Sequence, residues 1–302
     1  MIPVFRANGK LLLAGEYFVL DGALALALPT RLGQTLKVET VSQQDTALHW
    51  QSVDETGKVW FKMTTLRNLQ PLQSSHKKMG ERLSKLLIAA FGELPNDKQF
   101  SVTMTNDFPR LWGLGSSSTL VSLVAQWSNT NPHPLNEQIF GGSGYDIACA
   151  AATSPILYQK TKNEPIVTEV AFKPSFKEAF YFVYLNQKQD STKAVAQYKK
   201  LDAITKTTTI PKISDLTKAI LAADNLIEME TLLLAHERTI AAALQFERAQ
   251  DLYFSDYWGI IKSLGAWGGD FVLATSNRPA EETLAYFKRK GFATVLRWDD
   301  LF

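Results

Sequence analysis

Residues 99–127 change their hydrophobic period across one short loop, and that change constrains the local architecture more than any other feature of the chain. "QFSVTMTN" alternates apolar and polar residues with the period of two of a half-buried strand. Beyond the loop, Leu120, Val124 and Trp127 fall on one face of a helix. Between them lies "PRLWGLGSSSTL", residues 109–120, with two glycines two apart and four consecutive hydroxyl residues. Glycine permits positive φ and a close approach of backbone to a ligand. Successive N–H groups in such turns converge into an anion nest. A following helix leaves its first N–H groups unpaired and points its positive dipole end the same way. Ser116, Ser117, Ser118 and Thr119 are expected to cap that helix, and a hydroxyl there also suits Mg²⁺. The combination suits nucleotide phosphates, although the loop taken alone is equally an ordinary serine-capped turn. It lacks the Gly-Lys-Ser/Thr ending of a Walker loop and the final glycine of the dinucleotide pattern. "GGSGY" misses the serine-hydrolase elbow because Tyr145 stands where glycine is needed.

The rest of the chain reads as α+β or mixed α/β. "KLLLAGEYFVLDGALALALPTRLGQTLKVETV" is β-structure, with a strict Leu/Ala alternation over 24–28 that Pro29 is expected to stop and a hairpin-type turn at Asp21-Gly22. Residues 34–41 and 47–63 suggest further strands, and "KKMGERLSKLLIAAFG" a helix ending at Gly92. Tyr181, Val183 and Leu185 alternate. From about 191 the character becomes helical, and residues 215–246 read as one long helix with Leu226, Met229, Leu233, Ile240 and Leu244 as its apolar stripe. His236 and Glu237 are expected at the border of that stripe, at the surface or the edge of the core. A change of domain is expected between about 155 and 190. The 302 residues suit about two domains, and a 45% apolar, 21% charged composition is ordinary for a globular chain. Net charge +2 carries no argument for a nucleic-acid or membrane partner, no window is long and apolar enough to span a bilayer, and the amino terminus lacks a secretory layout. One cysteine, Cys149, excludes an internal disulfide, fits a cytoplasmic setting and reads as a small buried apolar residue. Oligomeric state is not legible.

Four stretches in order carry a resemblance: "GKLLLAGEYFVLDG", "PRLWGLGSSS", "GGSGYDIA" and "KSLGAWGGD". From residue 9 to residue 270 the set resembles the GHMP kinases, the superfamily of galactokinase, homoserine kinase, mevalonate kinase and phosphomevalonate kinase. The resemblance implies a two-domain α+β fold, with an amino-terminal ATP-binding domain over about 1–165 that contains a left-handed β-α-β element, and a ferredoxin-like carboxy-terminal domain over about 166–302. It implies ATP and Mg²⁺, with the acceptor lying between the domains. By position, Gly113, Leu114, Gly115, Ser116, Ser117 and Ser118 match the phosphate loop, with alanine more usual at 118. Ser117 matches the Mg²⁺-reaching hydroxyl, and Glu137 is the nearest acid for a second ligand, at a spacing that differs from the family's. Asp146 matches the proposed general base, with Ser143 and Gly144 beside it at the acceptor. Lys10 matches the lysine at the reacting groups. Glu16 and Tyr17 match the acceptor-side segment, and Gly265, Gly268 and Gly269 the floor beneath acceptor and phosphates.

The chemistry suits those residue types. Phosphoryl transfer depends mostly on positioning and charge stabilisation, and a carboxylate near an ammonium can orient the acceptor proton while charge is offset. Outside the motif set, Asp146 reads as a helix N-cap, Lys10 as a solvated lysine and Trp267 as packing. Glu16 is harder to dismiss, because an ionised carboxylate in an apolar run needs a partner. Tyr17 after the glutamate, the "GGD" ending and "SGYDIA" are more like phosphomevalonate kinases than mevalonate kinases. The short chain and Trp267 in place of a small residue depart from that pattern. The acceptor implied is of the isoprenoid-precursor type, phosphomevalonate before mevalonate. A mevalonate diphosphate decarboxylase of the same fold and a non-catalytic ligand-binding member are the alternatives.

Overall fold

The long alternating run near the amino terminus forms two strands, β1 (Val4–Ala14) and β2 (Ala25–Val41). The expected stop at Pro29 does not occur. β2 pairs with one strand over Ala25–Ala27 and with another over Gln34–Val41, so neither of these ladders asks Pro29 for the N–H it lacks. Nor is Asp21-Gly22 a hairpin. Residues Phe18–Asp21 form a single 3₁₀ turn, closed by Gly22 at φ 92°. The computed structural model describes residues 2–41, 47–95, 97–187, 191–265, 267 and 270–302, with backbone only for 191–193.

Then follow β3 (Leu48–Val53), β4 (Val59–Thr65), β5 (Pro71–Ser74), α1 (Lys77–Phe91), β6 (Gln99–Asn106), α2 (Ser116–Ser128), α3 (Pro132–Ile139) and α4 (Tyr145–Ala151). The second half holds β7 (Ile156–Gln159), β8 (Ile166–Glu169), β9 (Phe180–Tyr184), α5 (Ser191–Lys199), α6 (Ala203–Ala222), α7 (Leu226–Leu244), α8 (Ala249–Tyr253), β10 (Ile261–Ser263), β11 (Phe271–Thr275), α9 (Ala280–Arg289), β12 (Val295–Arg297) and α10 (Trp298–Leu301). The helix expected over 215–246 is two helices. α6 ends where Ala223 turns extended, and Asn225 caps α7 by accepting from the Glu228 N–H at 2.9 Å.

The chain forms two compact units that interleave in sequence. One comprises Met1–Gly9, Arg31–Arg110 and Leu114–Ala151; the other comprises Lys10–Thr30, Leu111–Gly113 and Ala152–Phe302. No single cut separates them, because β1 and β2 each contribute residues to both. In the first unit β3 runs parallel to β6 and antiparallel to β4, β5 flanks β4, and the second half of β2 runs antiparallel to β6. Helices α1–α4 pack on one another. Leu36, Trp50, Phe61, Leu86, Val102 and Val124 are among the side chains of this core.

In the second unit β9, β10, β11 and β12 form an antiparallel sheet in the order β10-β11-β9-β12. With helices between β9 and β10 and between β11 and β12, this is the β-α-β-β-α-β arrangement expected for the carboxy-terminal part. β9 and β11 are buried along their whole length, so the alternation read at Tyr181, Val183 and Leu185 reflects side chains standing on two covered faces. A separate cluster of Tyr17, Phe18, Tyr198, Ile213, Ile240, Leu244 and Trp267 packs α6 and α7 against the segment after β1. Cys149 is buried, as expected.

Candidate functional site

β6 delivers the chain into the glycine-rich loop. Leu114 is fully buried and anchors it, while Gly113 and Gly115 take φ of 66° and 92°. Gly115 is itself the N-cap of α2 and supplies no side-chain cap. The expected capping by hydroxyls is therefore corrected. Ser118 Oγ and Thr119 Oγ1 bend back onto the Gly115 carbonyl at 2.8 and 3.0 Å. Thr119 Oγ1 also donates to Gln34 at 2.7 Å, and Gln34 donates to Asn106 at 2.8 Å, which ties the first turn of α2 to β2 and β6. The first intrahelical donor is the Thr119 N–H, to Gly115 O at 2.9 Å. The N–H groups of Ser116, Ser117 and Ser118 thus have no intrahelical acceptor. Ser117 is exposed, and its hydroxyl has no partner among the described residues. Three amide donors and one hydroxyl are left at the positive end of a 13-residue helix.

Leu111–Gly113, at the beginning of the loop, belong to the second unit and are tied down within it. Lys10 Nζ donates to the Gly113 carbonyl at 3.0 Å, and Tyr184 Oη donates to that of Leu111 at 3.2 Å. A Cβ on Gly113 would stand 2.2 Å from Asp270 Oδ2, so that backbone must be bare. Asp270 has φ 53°, and its N–H and carbonyl are bonded to Gln187 and Leu185, at 2.8 Å each. Sequence reasoning used Asp270 only to compare relatives and missed this contact.

Asp146 is the second residue of α4, which packs on α2. The carbonyl of Gly144, at φ 86°, accepts from Ala148 N at 3.1 Å. Asp146 is therefore not the helix N-cap that its sequence context suggests. Its Oδ1 accepts from the Ile147 N–H at 3.1 Å, and the side chain is half-buried. Ser143 is half-buried two residues before the helix. Glu137 is exposed on α3, and no cluster of three His, Cys, Asp or Glu side chains suited to a metal exists among the described residues. Gly265 adopts φ 65°; Gly268 and Gly269 lie outside the described residues.

The least expected part of the site is a buried polar group in the second unit. Glu16, His236, Glu237 and Lys262 are all 0% exposed. The expectation that His236 and Glu237 lie at the surface or the edge of the core is overturned: His236 falls three residues after Leu233 and four before Ile240, within the apolar stripe of α7. Lys262 Nζ donates to Glu16 Oε1 and, at 2.8 Å, to the Ser263 carbonyl. Glu237 Oε1 accepts from Ser263 N–H at 3.1 Å and from Ser263 Oγ at 3.0 Å. His236 Nε2 accepts from Gly15 N–H at 3.0 Å, which assigns the ring proton to Nδ1. Burial pushes Glu237 up to about 7 and holds His236 well below its ordinary value; it also raises Glu16, against the downward pull of Lys262. Lys262 was not singled out from sequence, although a carboxylate in an apolar run demanded such a partner. Tyr17 is buried, and its hydroxyl accepts from the Trp267 N–H at 2.9 Å. Trp267 packs against Phe246, as the packing reading expected.

The architecture is the two-domain α+β fold of the GHMP kinases. Among solved structures, mevalonate kinase from Methanococcus jannaschii is similar at a TM-score of 0.69 and 15% identity, over 98% of this chain and 97% of that one. Phosphomevalonate kinase from Streptococcus pneumoniae, solved with phosphomevalonate and AMPPNP, is similar at 0.69 and 18%, over 98% and 99%. Galactokinase from Lactococcus lactis, solved with galactose, is similar at 0.64 and 13%, over 96% and 88%. No protein-family model matches the sequence, and no curated protein matches it. No helix of the described residues is long and apolar enough to cross a membrane.

Proposed function

We propose that the chain is an ATP-dependent small-molecule phosphotransferase whose acceptor is of the isoprenoid-precursor type, phosphomevalonate first and mevalonate next. One observation carries the reading: α2 opens on a left-handed glycine with three amides that have no intrahelical acceptor and an exposed Ser117 hydroxyl with no partner among the described residues. A helix start so built, in a fold shared with nucleotide-using kinases, suits a phosphate chain. The reading assigns ATP binding to the domain expected over 1–165 and the carboxy-terminal role to 166–302, a linear division from which the interleaved compact units depart, and sets the protein in the cytoplasm, where ATP is abundant and Cys149 stays reduced.

In this reading the amides of Ser116–Ser118 bind the phosphates, each charge-assisted bond contributing about 1.5–3 kcal/mol. Lys10, steered by the Gly113 carbonyl, offsets charge at the transferring group. Asp146 orients or accepts the acceptor proton, with Ser143 and Gly144 beside it, an effect typically worth about 10²–10⁴ in rate. In this reading Mg²⁺ would be held by the oxygen of the Ser117 hydroxyl, with Glu137 as a further carboxylate. With no acidic cluster, the remaining positions fall to nucleotide and water. Mg²⁺ supplies charge neutralisation on the phosphates.

The test is an ADP-release screen against mevalonate, phosphomevalonate, mevalonate diphosphate, homoserine and simple sugars, with Asp146→Asn as the blank. Acceptor-dependent ADP release with phosphomevalonate is expected. Release of CO₂ with mevalonate diphosphate would instead assign the decarboxylase. Binding of AMPPNP with no turnover of any acceptor would assign a ligand-binding protein.

A further inference from the structure

Glu16 and Tyr17 match positions expected at the acceptor, yet both side chains are buried in the second unit and turned onto protein atoms. Tyr17 sits at φ 62° and ψ −50°, with Phe18 N–H bonded to Glu16 O at 2.7 Å. This is a γ-turn, a strained conformation for a residue with a side chain. Such strain persists only where the surroundings over-determine it, and here they do. Gly15 N–H is held by His236, Glu16 by Lys262, and the Tyr17 hydroxyl by the Trp267 N–H. Glu237, next to His236 on α7, holds the N–H and hydroxyl of Ser263. The contacts close a circuit: Gly15-Glu16 to Lys262-Ser263, Ser263 to Glu237, and His236 back to Gly15.

We propose that His236, Glu237, Lys262 and Tyr17 are positioning residues, a buried circuit in which α7 sets the spacing between the strained turn at 15–17 and the segment 262–267. Beside Ser263, the Leu264 N–H donates to the Phe271 carbonyl at 3.2 Å, and Asp270, next to Phe271, sets its carboxylate against Gly113, whose carbonyl steers Lys10. The circuit therefore acts on the ammonium and on the start of the phosphate loop, and Glu16 and Tyr17 serve as struts of the protein instead of acceptor ligands. What the positioned segment serves rests on the phosphotransferase reading above. A buried hydrogen-bonded network suits this role because it has few alternative arrangements at low cost, and small displacements of aligned groups reduce rate steeply.

The experiment compares Tyr17→Phe, Glu237→Leu and Glu237→Gln with the wild type. Steady-state kinetics is one readout, and amide exchange at Ser263 and Trp267, the donors of the two ties, is the other. A positioning role predicts that Tyr17→Phe lowers kcat on the order of tenfold, with acceptor KM within about twofold. Glu237→Leu lowers kcat further, and Glu237→Gln, which keeps an acceptor oxygen for Ser263, restores it to within about threefold. Exchange accelerates at Trp267 in Tyr17→Phe and at Ser263 in Glu237→Leu, and returns to the wild-type rate at Ser263 in Glu237→Gln. A rise in acceptor KM at unchanged kcat in Tyr17→Phe overturns the proposal, because Tyr17 would then contact the acceptor. Wild-type exchange in Tyr17→Phe and Glu237→Leu overturns it as well. Should Glu237→Leu fail to fold, Tyr17→Phe alone decides by both readouts. A wild type that turns over no acceptor removes the phosphotransferase reading, and exchange then decides whether the circuit holds the segment.

Discussion

Replacing Glu237 by Gln makes a quantitative test of its burial, because the amide keeps an acceptor oxygen but does not titrate. The native carboxyl is pushed up to about 7 from an ordinary 4.5, chiefly by desolvation. Between those values the folded protein retains a proton that the unfolded chain has released. Native stability therefore falls as pH rises from 4.5 to about 7 and is flat above, where the charge is present in both states. At about 1.36 kcal/mol per pH unit, the interval between 4.5 and about 7 is worth about 3 kcal/mol. The groups facing Glu237 are Ser263 and Lys262 from β10 and Glu16 from the turn after β1, with His236 its neighbour on α7. Glu16, raised by burial, and His236, lowered by it, also titrate differently in the folded and unfolded protein, but they are present in both proteins and largely cancel in the comparison. Urea unfolding of wild type and Glu237→Gln at pH 5 and pH 8, followed by tryptophan fluorescence, gives the two differences in stability. Relative to wild type, the variant is expected to gain about 2.5 kcal/mol between pH 5 and pH 8, because the part of the interval below pH 5 is not sampled, whatever its offset at pH 5. A relative gain under about 1 kcal/mol, or a loss, refutes the claim that Glu237 is held in its neutral form by burial.

Asp146→Asn is expected to reduce acceptor-dependent ADP release by about a hundredfold or more while AMPPNP affinity, measured by calorimetry, stays within about threefold. Ser117→Ala, which removes an exposed hydroxyl with no partner among the described residues, should leave the melting temperature unchanged. It should raise the Mg²⁺ concentration needed for half-maximal turnover by about tenfold, corresponding to about 1.4 kcal/mol. Gly113→Ala sets a Cβ at 2.2 Å from Asp270 Oδ2 on a backbone at φ 66°. It should lower the melting temperature and weaken AMPPNP binding by at least about tenfold, whereas the double change Gly113→Ala/Asp270→Ala recovers part of the stability.

Elements governed by neighbours along the chain were legible. The period of two over residues 99–106 gave β6, helical spacing after residue 77 gave α1 with Gly92 behind it, and the paired glycines gave the turn that opens α2. Elements governed by competition between segments were not. Pro29 reads as a stop until β2 is seen to change partners around it, and 215–246 reads as one helix until the Asn225 cap is weighed. In the candidate site, the glycine-rich turn over 113–118 was identifiable because its conformation is written in local glycine and hydroxyl chemistry.

Sequence by itself determined local elements such as β6 and α1 and the bare, donor-rich start of α2. Tertiary structure alone decided which hydroxyl stays open at that start, and which partners the buried charges find. Glu16 meets Lys262 from 246 positions away, and His236 reaches back 221 positions to Gly15. Hydrophobic period and turn chemistry act within a few residues, whereas a buried charge is stabilised only by whatever group the completed fold sets against it.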